Sequence, residues 1–258
     1  PRQEGCYPKT TVESGGSLEV NREFVIVLPF NEPELFESTI RKHHHDIAAV
    51  ILEPLNYNSG TIEPVAGFLE GIRRLTKEHD IVLIFDEILS GFRTGPDCIQ
   101  GYYKVTPDLC TLGKALGGGT PLSAVAGKRR IMEHLSPLGP AMHSGTYNAN
   151  LVSILAGNAF VDCVSNTKGF YPELLSRAKT LYKEMNGIFQ RKGVKAAVQG
   201  VGSRFSILFG PPSEKKPLNY QDAAKQDSAL LNRFSQETIK RGVFFHSMWH
   251  HGITGSHT

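Results

Sequence analysis

The chain has 258 residues, 40% of them apolar and 21% charged, with a formal net charge of +3; this is ordinary for a globular protein of one or two domains with a substantial core. The small charge and the lack of any dense Lys/Arg block argue against nucleic acid as a partner, and no apolar run is long enough to span a bilayer. Four scattered cysteines (Cys6, Cys98, Cys110, Cys163) form no CxxC pair, which argues against a disulfide framework or a zinc ribbon and fits a reducing soluble compartment such as the cytoplasm.

The first ten residues, PRQEGCYPKT, contain no apolar signal-peptide core and no initiator methionine, so the true start is expected to lie upstream. Residues 1–33 are polar and turn-rich apart from one apolar run at 24–28. From there strands and helices alternate. Residues 48–52 (AAVIL) and 81–85 (IVLIF) read as buried strands, being short, apolar and uninterrupted. Between them, residues 67–79 read as a helix, with Phe68, Ile72 and Leu75 at helical spacing. Residues 109–112 and 123–126 are shorter strand candidates, and 150–164 is a helix rich in Ala and Leu.

This rhythm predicts an α/β layer with a mostly parallel sheet, whose sites lie beyond the carboxyl ends of the strands. After about residue 170 the pattern changes. A long amphipathic helix (172–191) precedes strands at 194–199 and 205–209 around the turn Gly200-Val201-Gly202. A helix at 221–241 and a strand at 243–245 follow, with an exposed loop at 211–219. The expected organisation is a large domain over residues 1–168 and a smaller α+β domain over 169–258.

Glu53 and Asp86 each follow a predicted strand. An aspartate at the end of IVLIF will be partly buried and needs a cationic or donor partner; a helix cap or a pairing with Arg93 would satisfy it without any function. Asp-Glu after a strand also occurs in Walker B sites, but the partner loop GxxxxGK[ST] is missing. Its first glycine position holds Asp108, and Ala115 follows the lysine.

Lys114 lies in TLGKALGGG, directly after the strand at 109–112. A lysine in a partly dry pocket becomes a nucleophile able to form a Schiff base. Gly117, Gly118 and Gly119 would let backbone pass close to a flat ligand, although a flexible loop with a solvated lysine is the plainer alternative. Taken together, the two residues suit pyridoxal phosphate. That cofactor needs a lysine for its aldehyde and a carboxylate to keep its ring nitrogen protonated. The histidines at 43–45, 246, 250, 251 and 257 form no HExxH or other metal pattern. They are expected at the surface or a pocket rim, and no metal is expected.

Four segments in order, EPLNYNSGTIEP, FDEILSGFRTG, PDLCTLGKALGGGTPLSAVAG and HSGTYNAN, resemble the class III aminotransferases, and among them the glutamate-1-semialdehyde aminomutase branch. The resemblance covers most of residues 48–165 and continues more weakly to the C-terminus. It implies a fold type I enzyme dependent on pyridoxal phosphate, with small-molecule amino and keto substrates. Lys114 would form the internal aldimine and Asp86 would pair with the pyridine nitrogen. Ile88 would pack on the cofactor ring, and Asn58 would hydrogen-bond its phenolic oxygen. Thr146, with Gly145 and Ser144 beside it, would reach the phosphate of the partner subunit's cofactor, which makes a homodimer the expected active unit. Tyr7 in EGCYPKT resembles a ring-stacking tyrosine, with Pro8 where the family has histidine. Glu53 matches a strand-end glutamate, for which a structural hydrogen bond fits equally well.

Two departures stand out. The family has a large portion ahead of the segment around Tyr7 and a final helix after the last residues here, so the chain is expected to be truncated at both ends. A catalytically silent remnant acting as an interaction module is the alternative this raises. Second, HSMWHHGITGSHT lacks the glutamate expected of the aminomutase, which points to a different substrate side chain.

Overall fold

The computed structural model describes residue 16, residues 18–246 and residues 249–257. The chain builds two sheets. The larger has the order β1-β2-β3-β4, formed by Ala49–Leu52, Val82–Glu87, Leu109–Leu112 and Ala124–Gly127. The first two pairings are parallel and the last is antiparallel. The chain enters this sheet through a 3-10 turn at Glu19–Phe24 and helix α1 (Pro33–His43).

Helix α2 (Phe68–Glu78) connects β1 to β2. Its Phe68, Leu69, Ile72 and Leu75 form one apolar stripe, packed with Phe36 and Ile40 of α1 against Leu83 and Phe85 of β2. Strand β2 is central and covered. Strand β1 is an edge: Ile51 is 63% exposed, so residues 48–52 are half-buried rather than enclosed on both faces. Helix α3 (Cys98–Tyr103) precedes β3, and α4 (Arg129–Met132) follows β4.

Helix α5 (Leu151–Asn166) crosses from the large sheet, and α6 (Phe170–Arg191) begins after Gly169, whose φ of +84° sets the bend. The second sheet is antiparallel, in the order β5-β6-β7, from Ala196–Val201, Arg204–Phe209 and His251–Gly252. Its core joins Leu174, Ala178 and Phe189 of α6 to Phe205, Ile207 and Phe209 of β6.

The predicted helix at 221–241 is broken into α8 (Tyr220–Ala223) and α9 (Ser228–Ile239), because the Asp227 carboxylate accepts from Leu230 N at 2.9 Å and caps a new start. The loop at 211–219 is largely exposed but opens with a short helix, α7 (Pro211–Glu214). The predicted strand at 243–245 is irregular; the third strand forms eight residues after Val243, at His251.

A third apolar cluster joins the sheets: Leu55, Tyr57, Leu89 and Ile99 with Val201. Tyr57 is fully buried and its hydroxyl donates to Val201 O at 2.7 Å, while Ser203 N donates to Arg93 O at 3.0 Å. Gly202 has φ +61°, and an added Cβ would stand 2.2 Å from that same Arg93 oxygen. Only glycine allows the β5–β6 turn to approach the loop after β2 this closely.

Within the large sheet the buried Asp108 carboxylate accepts from Leu83 N at 2.9 Å, Arg73 Nη1 at 2.9 Å and Lys128 Nζ at 2.6 Å. Burial alone would raise its pKa, but these donors win and hold it at about 2. The folded value is depressed below 3.8, so the stabilisation is complete above that pH and is lost as pH falls toward 2. Acid unfolding should therefore show a loss of about 2 kcal/mol over that interval. Asp108→Asn should cost a similar amount at neutral pH and flatten this segment of the curve, as read from urea denaturation at a series of pH values.

Candidate active site

Parallel pairing brings the ends of β1, β2 and β3 to one edge of the sheet, and the register sets Asp86 beside Thr111. Successive strand residues face opposite sides, so the two carboxylates that end β2 have separate partners. Glu87 is buried. Its Oε2 accepts from Ile99 N at 2.6 Å and its Oε1 from Gln100 Nε2 at 3.1 Å, which fastens the start of α3. Burial outweighs these bonds and raises its pKa.

Asp86 is half-buried on the other side. Its Oδ1 accepts from Ile88 N at 3.0 Å and from Thr111 Oγ1 at 3.1 Å, and among the described residues no donor reaches Oδ2. One oxygen is fixed and the other is open to a ligand N–H. Arg93 does not pair with Asp86; its Nε donates to Leu89 O at 3.1 Å.

Lys114 starts the turn that follows β3. Its φ of +46° is left-handed, a conformation that costs a non-glycine residue roughly 1–2 kcal/mol. Strain of this kind concentrates at sites where geometry matters more than stability. The side chain is exposed, not enclosed in the dry pocket expected from sequence. Ile88 stands in front of the strand end: a Cβ added at Gly113 would lie 3.1 Å from Ile88 Cδ1.

Glu53 follows β1 and accepts at Oε1 from Asn58 Nδ2 at 2.9 Å, while its Oε2 is closed to solvent with no partner. Burial raises its pKa, the Asn58 bond opposes this, Asp86 raises it further and Lys114 lowers it. Glu53, Asp86 and Lys114 thus share one electrostatic neighbourhood.

One glycine of the run after Lys114 meets a helix. A Cβ at Gly118 would lie 2.9 Å from Ala156 O, and one at Gly157 would lie 2.5 Å from Leu122 Cδ2. Gly118 and Gly157 let α5 pack onto the lysine turn, while a Cβ at Gly119 would meet nothing within 4 Å.

Residues 141–150 are exposed throughout. Among the described residues no hydrogen bond joins Ser144, Gly145 or Thr146 to Asp86 or Lys114. The cap of α5 is Asn150, whose Oδ1 accepts from Ser153 N at 3.1 Å, and not Thr146. Tyr7 lies outside the described residues.

From the small sheet, Arg204 Nη2 donates to His250 Nδ1 at 2.5 Å. Burial, followed by the charges of Arg204, His246 and Lys114, lowers the His250 pKa to about 4. His251 is buried rather than on the surface, with its ring 5.2 Å from that of Phe205. Among the described residues no cluster of His, Cys, Asp and Glu could hold a metal ion. No helix among them is long and apolar enough to cross a membrane.

The profile of the family described as aminotransferase class-III matches residues 21–249. The chain belongs to the class-III aminotransferase family. It is 37% identical to the glutamate-1-semialdehyde 2,1-aminomutase of Methanocaldococcus jannaschii over 231 residues, 90% of this chain and 53% of that protein. The fold is similar to an omega-transaminase from Sphaerobacter thermophilus with a TM-score of 0.87 and 31% identity, covering 95% of this chain and 56% of the other. A transaminase solved with PLP bound matches with a TM-score of 0.82 and 26% identity, covering 94% and 55%. The chain spans about half the length of the curated relatives it matches.

Sequence reasoning missed Thr111, Asp108 and Arg204. A signal existed for Thr111, since it sits on β3 at the level of Asp86 once parallel register is assumed. Arg204 carried none, because its role depends on how the second sheet meets the first.

The Glu53 pKa is raised in the fold, so its charge disfavours the native state above the folded pKa and has no effect below the ordinary value of 4.5. Glu53→Gln, which keeps the acceptor for Asn58, should raise the denaturation midpoint at pH 7 and converge with the wild type below pH 4.5. A constant offset across the titration would contradict this.

Proposed function

We propose that the chain is the part of a class III aminotransferase that holds pyridoxal phosphate and moves an amino group, as a transaminase or a glutamate-1-semialdehyde aminomutase-like enzyme. One observation carries the reading: Asp86 is anchored through Oδ1 by Thr111 and Ile88 and left open at Oδ2, at the same sheet edge as the strained Lys114. The fit to the cofactor rests on that open carboxylate oxygen, on the primary amine of Lys114, and on the apolar side chain of Ile88 at Gly113. The PLP-bound transaminase of similar fold supports it.

When bound, pyridoxal phosphate supplies an electron sink for a carbanion beside the amino group. Lys114 would hold the aldehyde carbon through Nζ. Once displaced by an amino substrate, the same amine would take the proton from the substrate carbon and return it. Asp86 Oδ2 would accept from the ring N–H and keep that nitrogen protonated as negative charge develops. Ile88 would set the height of the ring, and Asn58, held by Glu53, would donate to its phenolic oxygen. Transaminase and aminomutase chemistry need these same groups and differ in where the amino group is delivered.

Thr146 and Gly145 lie on an exposed segment with Met142 (80% exposed) and Tyr147 (74%), next to the exposed Leu151 and Val152 of α5. Apolar exposure of this extent marks an interaction surface. The reading assigns it to a homodimer in which Thr146 serves the partner subunit's cofactor. The division at residues 168 and 169 belongs to the same reading, with the cofactor-holding unit before it and the smaller unit after it. The unpaired Cys98, Cys110 and Cys163 fit a reducing compartment such as the cytoplasm.

Pyridoxal phosphate added to the purified chain, then reduced with borohydride and peptide-mapped, should leave its adduct on Lys114. Asp86→Ala should spare that adduct while lowering turnover by about a hundredfold or more. An adduct spread over surface lysines would favour the silent-remnant alternative. Undiminished turnover in Asp86→Ala would remove Asp86 from the mechanism.

A further inference from the structure

The loop that carries Asn58 is fastened to the small sheet on both sides of that residue. Asn58 is exposed at the second position of a turn closed by Gly60 N on Tyr57 O at 3.4 Å, and its amide donates to Glu53 Oε1 at 2.9 Å. Before it, the buried Tyr57 hydroxyl donates to Val201 O, at the end of β5, at 2.7 Å. After it, Gln199 Nε2 donates to Gly60 O at 2.5 Å and to Thr61 O at 3.2 Å, and the Thr61 hydroxyl lies 2.7 Å from that of Ser206. Gln199 and Ser206 stand directly opposite each other across β5 and β6. Their side chains therefore share one face of the sheet and reach the same two residues of the loop.

The loop would not hold this shape alone. Thr61 has φ +59°, a left-handed conformation that a β-branched side chain strongly resists. Such strain persists only where the surroundings over-determine it, and here they do. One amide meets the carbonyls of both Gly60 and Thr61. The hydroxyls of Thr61 and Ser206 are buried and would lose their partner if the loop lifted. Gly60 lies close against β6 and α8, where an added Cβ would stand 3.4 Å from Leu208 Cδ2 and 3.7 Å from Ala223 Cβ. A loop that merely sealed the junction could be relaxed. This one is strained at the point that sets the path of the chain leaving Asn58.

We infer that Gln199, with Thr61 and Ser206, positions Asn58, so that the small sheet sets where the Asn58 amide stands at the strand ends. This rests on the reading of Asn58 as a donor to the cofactor's phenolic oxygen. Gln199 acts through the loop, and among the described residues no hydrogen bond joins it to Lys114 or Asp86.

In the cofactor-free chain, Gln199→Leu removes both donors and should speed amide exchange at Ser59, Gly60 and Ile62 by about tenfold, while β2 keeps wild-type exchange. With pyridoxal phosphate added, a donor to the phenolic oxygen favours its deprotonated form. A displaced Asn58 should therefore move the pH midpoint of the bound cofactor's visible band up by about half to one unit. Asn58→Ala should move it the same way and at least as far. Glu53, Asp86 and Lys114, the charged groups of this edge, are the same in every variant. Ser206→Ala, a smaller change, should shift both readouts in the same direction, and decides if Gln199→Leu loses its fold by circular dichroism. Tyr171→Phe, which removes the junction bond to Phe92 O without touching the loop, should shift neither. Wild-type exchange at residues 59–62 in both variants, a wild-type midpoint in Gln199→Leu beside a moved one in Asn58→Ala, or an equal shift in Tyr171→Phe would each overturn the proposal. Failure of Asn58→Ala to move the midpoint, or of the wild type to form the Lys114 adduct, would instead remove the reading of the site, and amide exchange alone would then decide whether the small sheet holds the loop.

Discussion

The large sheet depends on one buried carboxylate. Asp108 ties Leu83 of β2, Arg73 of α2 and Lys128 after β4 to a single group, and its backbone adds bonds to Leu83 O and from Lys128 N. A buried charge without these donors would be strongly unfavourable, so the alternatives to this register are penalised. A slip of one residue along β3 would turn Thr111 to the other face. Asp86 would then lose the hydroxyl that fixes Oδ1, and Lys114 would leave the edge it shares with Glu53.

The second constraint is the junction between the sheets. It is made of backbone carbonyls met by specific donors: Val201 O by the Tyr57 hydroxyl, Arg93 O by Ser203 N, and Phe92 O by the Tyr171 hydroxyl at 3.2 Å. Such bonds are worth little each in water but much when the group would otherwise be buried alone. They fix the turn at Gly202 against the loop that follows β2. Arg204 is two residues beyond that turn, so its position relative to the first sheet follows from the junction rather than from any contact of its own with Lys114.

This order of dependence explains what could be read from the sequence. Strands and helices around Asp86 and Lys114 are local: short apolar runs, a clear helical stripe in α2, and a lysine turn after a strand. Their placement at one edge follows from parallel pairing. The resemblance to class III aminotransferases reinforced the same residues through four motifs in order. The helix at 221–241 failed because Asp227 offers a cap in the middle of a helical pattern, a competition that periodicity does not register. The strand at 243–245 failed because the run finds no pairing partner: Val243 and Phe244 are exposed, and only Phe245 packs, against Phe234 at 5.4 Å between ring centroids and against His251 at 5.5 Å. The contact of Gly118 with Ala156 of α5 was not legible, because its partner lies far along the chain. Arg204 was not legible, since an arginine opening a strand has no distinguishing pattern until its missing counterion is seen.

The family relationship spans an aminomutase by sequence and an omega-transaminase by fold, and the large sheet offers no feature that separates them. The difference has to come from groups that meet the substrate away from its reacting carbon. In the small sheet, His250 and Trp249 stand in a loop without a carboxylate. An acidic side chain beside Arg204 would pair with it and leave a neutral, self-satisfied bridge. A neutral imidazole whose Nδ1 is already used as an acceptor leaves the guanidinium charge uncompensated and presents a second N–H. The charge left at Arg204 thus depends on one side chain in the loop before β7, while Lys114 and Asp86 remain as they are. The strand ends of the first sheet thus set the surroundings of Asp86 and Lys114, and the turn and loop of the second sheet set those of Arg204 and His250.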